Sequence, residues 1–286
     1  MTATREAQMV GLFLLMPVLL MPVLSSIMLS QDPPAPETKA NFAYERYLHE
    51  GARLQKEGRY AEAATAYSAA LDEAEQQLGP EHITIAEILV NIGTLRALQR
   101  QDAKARAAFE RSLEIREKAL GADHLQVGFT LLTIAMLTHK QGQYAAAEAM
   151  YRRALPILEN KLGPEHERTA LLKASLGKLY LSQRRNTEAE LWLEKAIPVL
   201  EKAGESEQSR LVVALNDLAE AYQRDGRYEK AEPLYARVLS AIEQRPAAMN
   251  DEIRTGLRGY VQMLRKMKRK PEARHLEVQL KAMLPK

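Results

Sequence analysis

The five residues LGPEH at 78–82 return unchanged at 162–166, and LGADH stands midway at 120–124. The three copies start 42 residues apart. A fixed period of about 20–50 residues marks a stacked array, in which each unit buries its apolar face only against its neighbours. No other feature limits the fold so strongly, because the period dictates one supersecondary element repeated along the chain.

Aligned every 42 residues from Tyr44, the chain falls into columns. Small residues recur where a first helix must approach a second closely: Gly51, Gly93, Ala135, Gly177, Ala219 and Val261. A turn column follows, Gly58, Arg100, Gly142, Arg184, Gly226 and Lys268. Glycine suits the left-handed backbone after a helix end, so the turns at Arg100 and Arg184 are expected to differ in shape. The second helix carries six alanines in register, Ala63, Ala105, Ala147, Ala189, Ala231 and Ala273. Four residues on come Tyr67, Phe109, Tyr151, Leu193, Tyr235 and Glu277, then Ala70, Ser112, Ala154, Ala196, Val238 and Leu280. Spacings of four and three fall on one helical face. Each unit is therefore two antiparallel amphipathic helices, with units starting near 44, 86, 128, 170, 212 and 254. LGPEH is the punctuation between units: Gly ends a helix and Pro prevents its continuation.

The order small residue, turn Gly, Tyr, Ala, aromatic, Ala, Leu is carried by Gly51, Gly58, Tyr60, Ala63, Tyr67, Ala70 and Leu71. It resembles the tetratricopeptide repeat (TPR). The 42-residue unit, the LGP-H junctions, RALPILENKLGPEH at 153–166 and LNDLA at 215–219 are similar to its kinesin-light-chain subclass. The resemblance covers residues 44–286 and implies an all-α fold: a right-handed superhelix, or α-solenoid, of about six helix–turn–helix repeats. The first and last units are atypical, as end caps should be.

The N-terminus has a different character. Residues 9–29, MVGLFLLMPVLLMPVLSSIML, contain no charge, and the Pro-rich stretch 31–43 after them is expected to be a stiff linker and lead-in. Two readings of residues 1–30 stay open. One is a signal peptide cut before Ser26, with Val23 and Ser25 at the cleavage site. The other is an uncleaved membrane anchor, for which about 20 apolar residues suffice. Both place the repeats outside the cytoplasm, exported or anchored in an inner membrane and facing the periplasm or exterior. The chain lacks cysteine, which removes disulfides, thiolate metal ligands and a Cys nucleophile.

In the TPR architecture the first helices line the concave face, and the resemblance places a peptide-binding groove there. Its candidate residues are Val90, Asn91, Thr94, Leu132, Met136, His139, Ser175, Lys178, Asn216, Glu220 and Gln223, with Asp217 and Arg224 beside the last of them. Apolar members would give affinity, and Asn91 and Asn216 would hydrogen-bond a peptide backbone. Val90, Leu132 and Asn216 also have a purely structural reading, as core or helix-surface residues. Leu48, Ala52 and Val90 stand where a carboxylate-binding clamp needs Lys and Asn, so that clamp is not expected.

His82, His124 and His166 recur with the period. Neighbouring ones are a whole repeat apart, whereas metal ligands must converge on one ion, so junction packing or helix capping is the expectation. No metal or cofactor is called for. A second candidate surface is the basic cluster Arg265, Lys266, Lys268, Arg269 and Lys270, within a C-terminal unit carrying ten basic and four acidic side chains. It suits an acidic partner or anionic lipid, or it is a solvated end cap. A formal charge of only +3 and the lack of interleaved aromatics argue against nucleic acid. The chain has no Gly-rich phosphate loop, GxSxG elbow or HExxH pair, so no catalysis is expected. The sequence thus points to a scaffold or adaptor for a protein or peptide client. The alternative is a membrane-tethered subunit of an envelope assembly or secretion machine, associated with the membrane through residues 9–29. No oligomeric state follows from it.

Overall fold

A computed structural model of the chain describes residues 43–246 and 249–283. The apolar run 9–29 and most of the Pro-rich linker lie outside the described residues. Twelve α-helices and no strand occur among the described residues. The first compact unit, through residue 146, contains α1 (Ala43–Lys56), α2 (Tyr60–Leu78), α3 (Ile83–Leu98), α4 (Asp102–Leu120) and α5 (Leu125–Lys140). The second unit begins at Ala147, within α6 (Tyr144–Leu162). It continues with α7 (Glu167–Ser182), α8 (Asn186–Lys202), α9 (Gln208–Arg224), α10 (Tyr228–Gln244), α11 (Asp251–Lys266) and α12 (Lys270–Ala282). No described helix is long and apolar enough to cross a membrane.

Within a hairpin, all six turns close in the same way. The amide of the residue after the turn position reaches back five residues, as in Arg59 N to Leu54 O (2.9 Å) and Arg185 N to Tyr180 O (2.9 Å). The amide of the turn residue itself reaches back three, as in Gly58 N to Gln55 O at 3.1 Å. This pair of bonds is a Schellman motif, and it needs a left-handed residue at its centre. Gly58, Gly142 and Gly226 supply φ of 75°. Arg100, Arg184 and Lys268 adopt φ of 59°, 61° and 62° instead. The turns at Arg100 and Arg184 therefore do not differ in shape, contrary to the expectation from sequence. The two backbone bonds and the packed helices hold a side-chain-bearing residue in a conformation that costs it about 1–2 kcal/mol.

Between hairpins, Gly79, Gly121 and Gly163 end the second helices with positive φ. The junction histidines then start the next helix. Nδ1 of His82, His124 and His166 accepts the amide of Thr84 (3.3 Å), Gln126 (3.2 Å) and Arg168 (3.0 Å). This is the capping role, satisfying an amide that the helix cannot. The later junctions use other devices: a 3₁₀ turn at Gly204–Glu207 before α9, and Asn250 before α11, whose Oδ1 accepts Ile253 N at 2.8 Å.

The alanine column is the seam of each hairpin, and all six alanines are completely buried. Opposite them the first helix must also be small. A Cβ added to Gly51 would lie 2.9 Å from the Tyr67 ring, and one added to Gly93 would lie 2.7 Å from the Phe109 ring. At Gly177 it would lie 2.5 Å from Leu193 Cγ and 3.2 Å from the Ala189 carbonyl oxygen. Interiors are close-packed, so such overlap must be relieved by shifting a helix.

Two outcomes are expected in thermal melts. Gly177→Ala should lower stability by about 1–3 kcal/mol through overpacking, although alanine is the better helix former by about 1 kcal/mol. Combined with Leu193→Ala, which alone costs about 2–5 kcal/mol, the loss should be smaller than the sum of the two single losses, and a stabilised Gly177→Ala protein would contradict the packing. Arg184→Gly should raise stability by up to about 1 kcal/mol by removing the left-handed penalty. A loss there would mean that the arginine contributes more than its backbone costs.

Candidate functional site

The candidate groove residues fall into two sets. In the first unit, Val90, Asn91, Met136 and His139 are half-buried, and the His139 ring meets Tyr144 edge-on at 5.7 Å. Thr94 is enclosed and donates to Val90 O at 2.8 Å, and Leu132 is fully buried. Leu132 therefore belongs to the core and offers no surface. Arg116 is a buried charge in this unit; it donates to Thr130 Oγ1 at 2.6 Å and so fastens α4 to α5. Burial pulls its pKa down against the opposing effect of Glu87.

In the second unit, α9 packs beside α7 on one side and α11 on the other. These three first helices bring a charged cluster together. Lys178 of α7 pairs with Glu252 of α11, Nζ to Oε1, at 2.5 Å. Asp217 of α9 is 3 % exposed. Burial, then the Glu252 carboxylate, pushes the Asp217 carboxyl well above its ordinary range, against the pull of Lys178. A hydrogen bond with Glu252 acts in the same direction, so Asp217 keeps its proton where an exposed aspartate would lose it. Desolvation opposes the Lys178 ammonium, but Asp217 when ionised, Glu252 and Glu220 outweigh it and hold its pKa above the usual value. Glu220 is shared with Arg224, whose Nη1 also donates to Leu181 O at 2.7 Å.

Asn216 adjoins this cluster but is sealed from the surface. Its amide presses on Gly256 of α11, where an added Cβ would fall 1.8 Å from Oδ1. Neither Oδ1 nor Nδ2 has a protein hydrogen-bond partner. In this arrangement Asn216 cannot touch a client, whereas the half-exposed Lys178, Glu220 and Glu252 can. Gln223 is committed on both sides: Nε2 donates to Gly259 O at 3.1 Å, and Oε1 accepts the Tyr235 hydroxyl at 2.7 Å. Ser175 is half-buried and donates to Leu171 O at 2.9 Å. Glu252 and Gly256 complete the cluster, and sequence reasoning missed both. A glycine inside the α11 pattern was the available signal, since it marks close approach of another element.

The C-terminal basic cluster is partly neutralised. Arg265 pairs with Glu277 at 2.5 Å, and Arg269 pairs with Glu232 at 2.6 Å and Glu272 at 2.7 Å. Lys266, Lys268 and Lys270 are exposed.

Helix hairpins in register, with a small-residue seam and a polar face on the first helices, define an α-helical repeat scaffold. Tetratricopeptide repeat models match residues 47–118, 84–160 and 129–202, and a second such model matches 214–248. The chain belongs to the tetratricopeptide repeat family. No curated protein matches it. Solved structures share the fold at low identity. BtubC (BKLC) from P. vanneervenii has a TM-score of 0.61 at 22% identity, with 71% of this chain and 92% of that one covered. RapI in its apo form has a TM-score of 0.64 at 13% identity, over 84% and 98% of the two chains. A Rap protein complexed with Competence and Sporulation Factor has a TM-score of 0.57 at 16% identity, over 84% and 74%.

The cluster makes stability depend on pH. The folded-state pKa of Asp217 lies above its unfolded value, so the folded chain binds more protons in the interval between them. Stability then falls as pH rises through that interval, from about 4 upward. Asp217→Asn should remove this decline and raise Tm at pH 7 by about 2 °C, with little gain at pH 4. A melt series in which the two proteins run parallel at every pH would contradict the assignment.

Proposed function

We propose that the protein is a non-catalytic scaffold that holds a protein or peptide client on the first helices of its repeats, and that it acts outside the cytoplasm. The observation that carries the binding reading is the Lys178–Asp217–Glu252 cluster with Glu220. Three successive first helices point ionisable groups at one place, at a cost in desolvation that the hairpin core does not require. In the second unit Lys178 and Glu220 supply donors and acceptors for a peptide backbone; the first unit, taken by itself, offers the half-buried Val90 and Met136 for apolar contact. The complex of a Rap protein, whose fold this chain shares, supports occupation of such a scaffold by a partner.

The extracytoplasmic reading rests on the uncharged run 9–29 followed by QDPPAPET at 31–38. The form tethered through that run, as part of an envelope assembly, is the variant of this reading.

Photo-crosslinking residues placed singly at Met136, Lys178, Leu191 and Lys195 separate the faces. Leu191 and Lys195 are exposed on α8, a second helix. Client adducts at Met136 and Lys178, and none at the two α8 positions, are expected. The reverse pattern would overturn the first-helix reading. The N-terminal residue of the native protein tests the location: a chain beginning near Ser26, or an uncut chain retained in membranes, fits export or anchoring, and an uncut chain in the cytosol contradicts both.

A further inference from the structure

The surface of α11 and α12 that faces away from α9 and α10 carries a groove of about 310 Å³. Its apolar floor includes Met249, Val261 and Leu280, and Arg254, Arg258 and Arg265 stand around it. The 42-residue period shows what this groove is built to hold. One repeat earlier, α11 is received by Asn216 against Gly256, by Gln223 bonding Gly259 O, and by Tyr235, whose ring stacks on Tyr260 at 5.1 Å. Val238 of α10 is completely buried. Counted 42 positions onward, these four residues become Arg258, Arg265, Glu277 and Leu280, and all four line the groove. The groove is thus the next seat in the series.

We infer that this seat docks an acidic amphipathic helix of a partner protein, laid in the position that α11 takes on the repeat before it. The apolar floor fits one face of such a helix. Its chemistry differs from that of the inner seat in a directed way. The uncharged Val212, Asn216 and Gln223 are replaced by Arg254, Arg258 and Arg265, and Leu239 by Lys281 at the rim. The lining offers one carboxylate, Glu277, already paired with Arg265, and Arg254 pairs with Asp251 at 2.7 Å, so Arg258 and Lys281 are the cations left for a partner. A helix bearing Asp or Glu beside its apolar stripe meets both features. A neutral helix would leave Arg258 and Lys281 without a counter-charge, and a basic helix would be repelled by the surplus positive charge.

The test uses the full chain and two labelled sixteen-residue amphipathic peptides, equal in length to α11. One has a leucine stripe flanked by glutamates, the other the same stripe flanked by lysines. The acidic peptide should bind at least about tenfold more tightly at low salt, weaken as salt rises, and protect α11 and α12 from hydrogen exchange. Arg258→Glu with Arg265→Glu should abolish the preference while helicity is retained. The milder Arg258→Gln should weaken it, and serves if the double variant unfolds. Equal affinity for the two peptides, protection elsewhere on the chain, or insensitivity to both variants would overturn the proposal. So would binding of phosphatidylserine vesicles that the same variants abolish without any peptide preference, which would assign the surface to anionic lipid.

Discussion

Three of the hairpins depend on the contact between a glycine on the first helix and a large residue on the second, over a column of buried alanines. Gly51 against Tyr67, Gly93 against Phe109 and Gly177 against Leu193 leave no room for even a methyl group. Glycine in a helix interior costs about 1 kcal/mol relative to alanine, so its presence three times in register shows that close approach outweighs propensity. Close approach in turn fixes the hairpin angle. That angle sets where the first helices stand, and so where Lys178, Asp217 and Glu252 meet.

A polar contact with the same period adds direction to the stack. A turn residue of one repeat reaches back 37 positions to the second helix of the repeat before. In the second unit the pairs are Arg185 with Glu148 (3.1 Å), Arg227 with Glu190 (2.6 Å) and Arg269 with Glu232 (2.6 Å). In the first unit the same columns hold Gln143 and Arg106, at 2.6 Å, with the donor on the opposite side. Arg185 and Arg227 also lie over the rings of Tyr180 and Tyr222, at 4.3 and 4.5 Å. Each such solvent-screened ion pair adds little stability by itself. Their value lies in register, because a slipped helix would leave several charges mismatched at once.

The fold was legible in the sequence because every repeat writes the same demands in the same columns. Turn shape was less legible. Arginine at two of the turn positions suggested a different backbone, yet the Schellman bonds keep the left-handed form wherever the helices on both sides are packed. The candidate site was legible only in part. Helical offsets placed Lys178, Asn216, Glu220 and Gln223 on one face, but they do not reveal how deeply each is covered. Gly256 lets α11 close over Asn216, and Glu252 joins Lys178 from a helix whose junction, EQRPAAMND at 243–251, departs from the common motif. Contacts made across an irregular junction leave no periodic trace. Leu132 follows a regular junction, and of the two readings its offset allowed the core one holds, whereas its column neighbour Val90 is half-buried.

The most direct measurement of this account is an alanine-column scan: Ala63, Ala105, Ala189 and Ala231 each replaced by leucine, with exposed Ala119 as the control, and stability read by denaturant unfolding. Each buried substitution should cost about 1–3 kcal/mol, while Ala119→Leu should stay within about 0.5 kcal/mol of the parent. If leucine at the buried positions is tolerated as well as at Ala119, the helices are not held by close approach along this seam, and the packing account given above is contradicted.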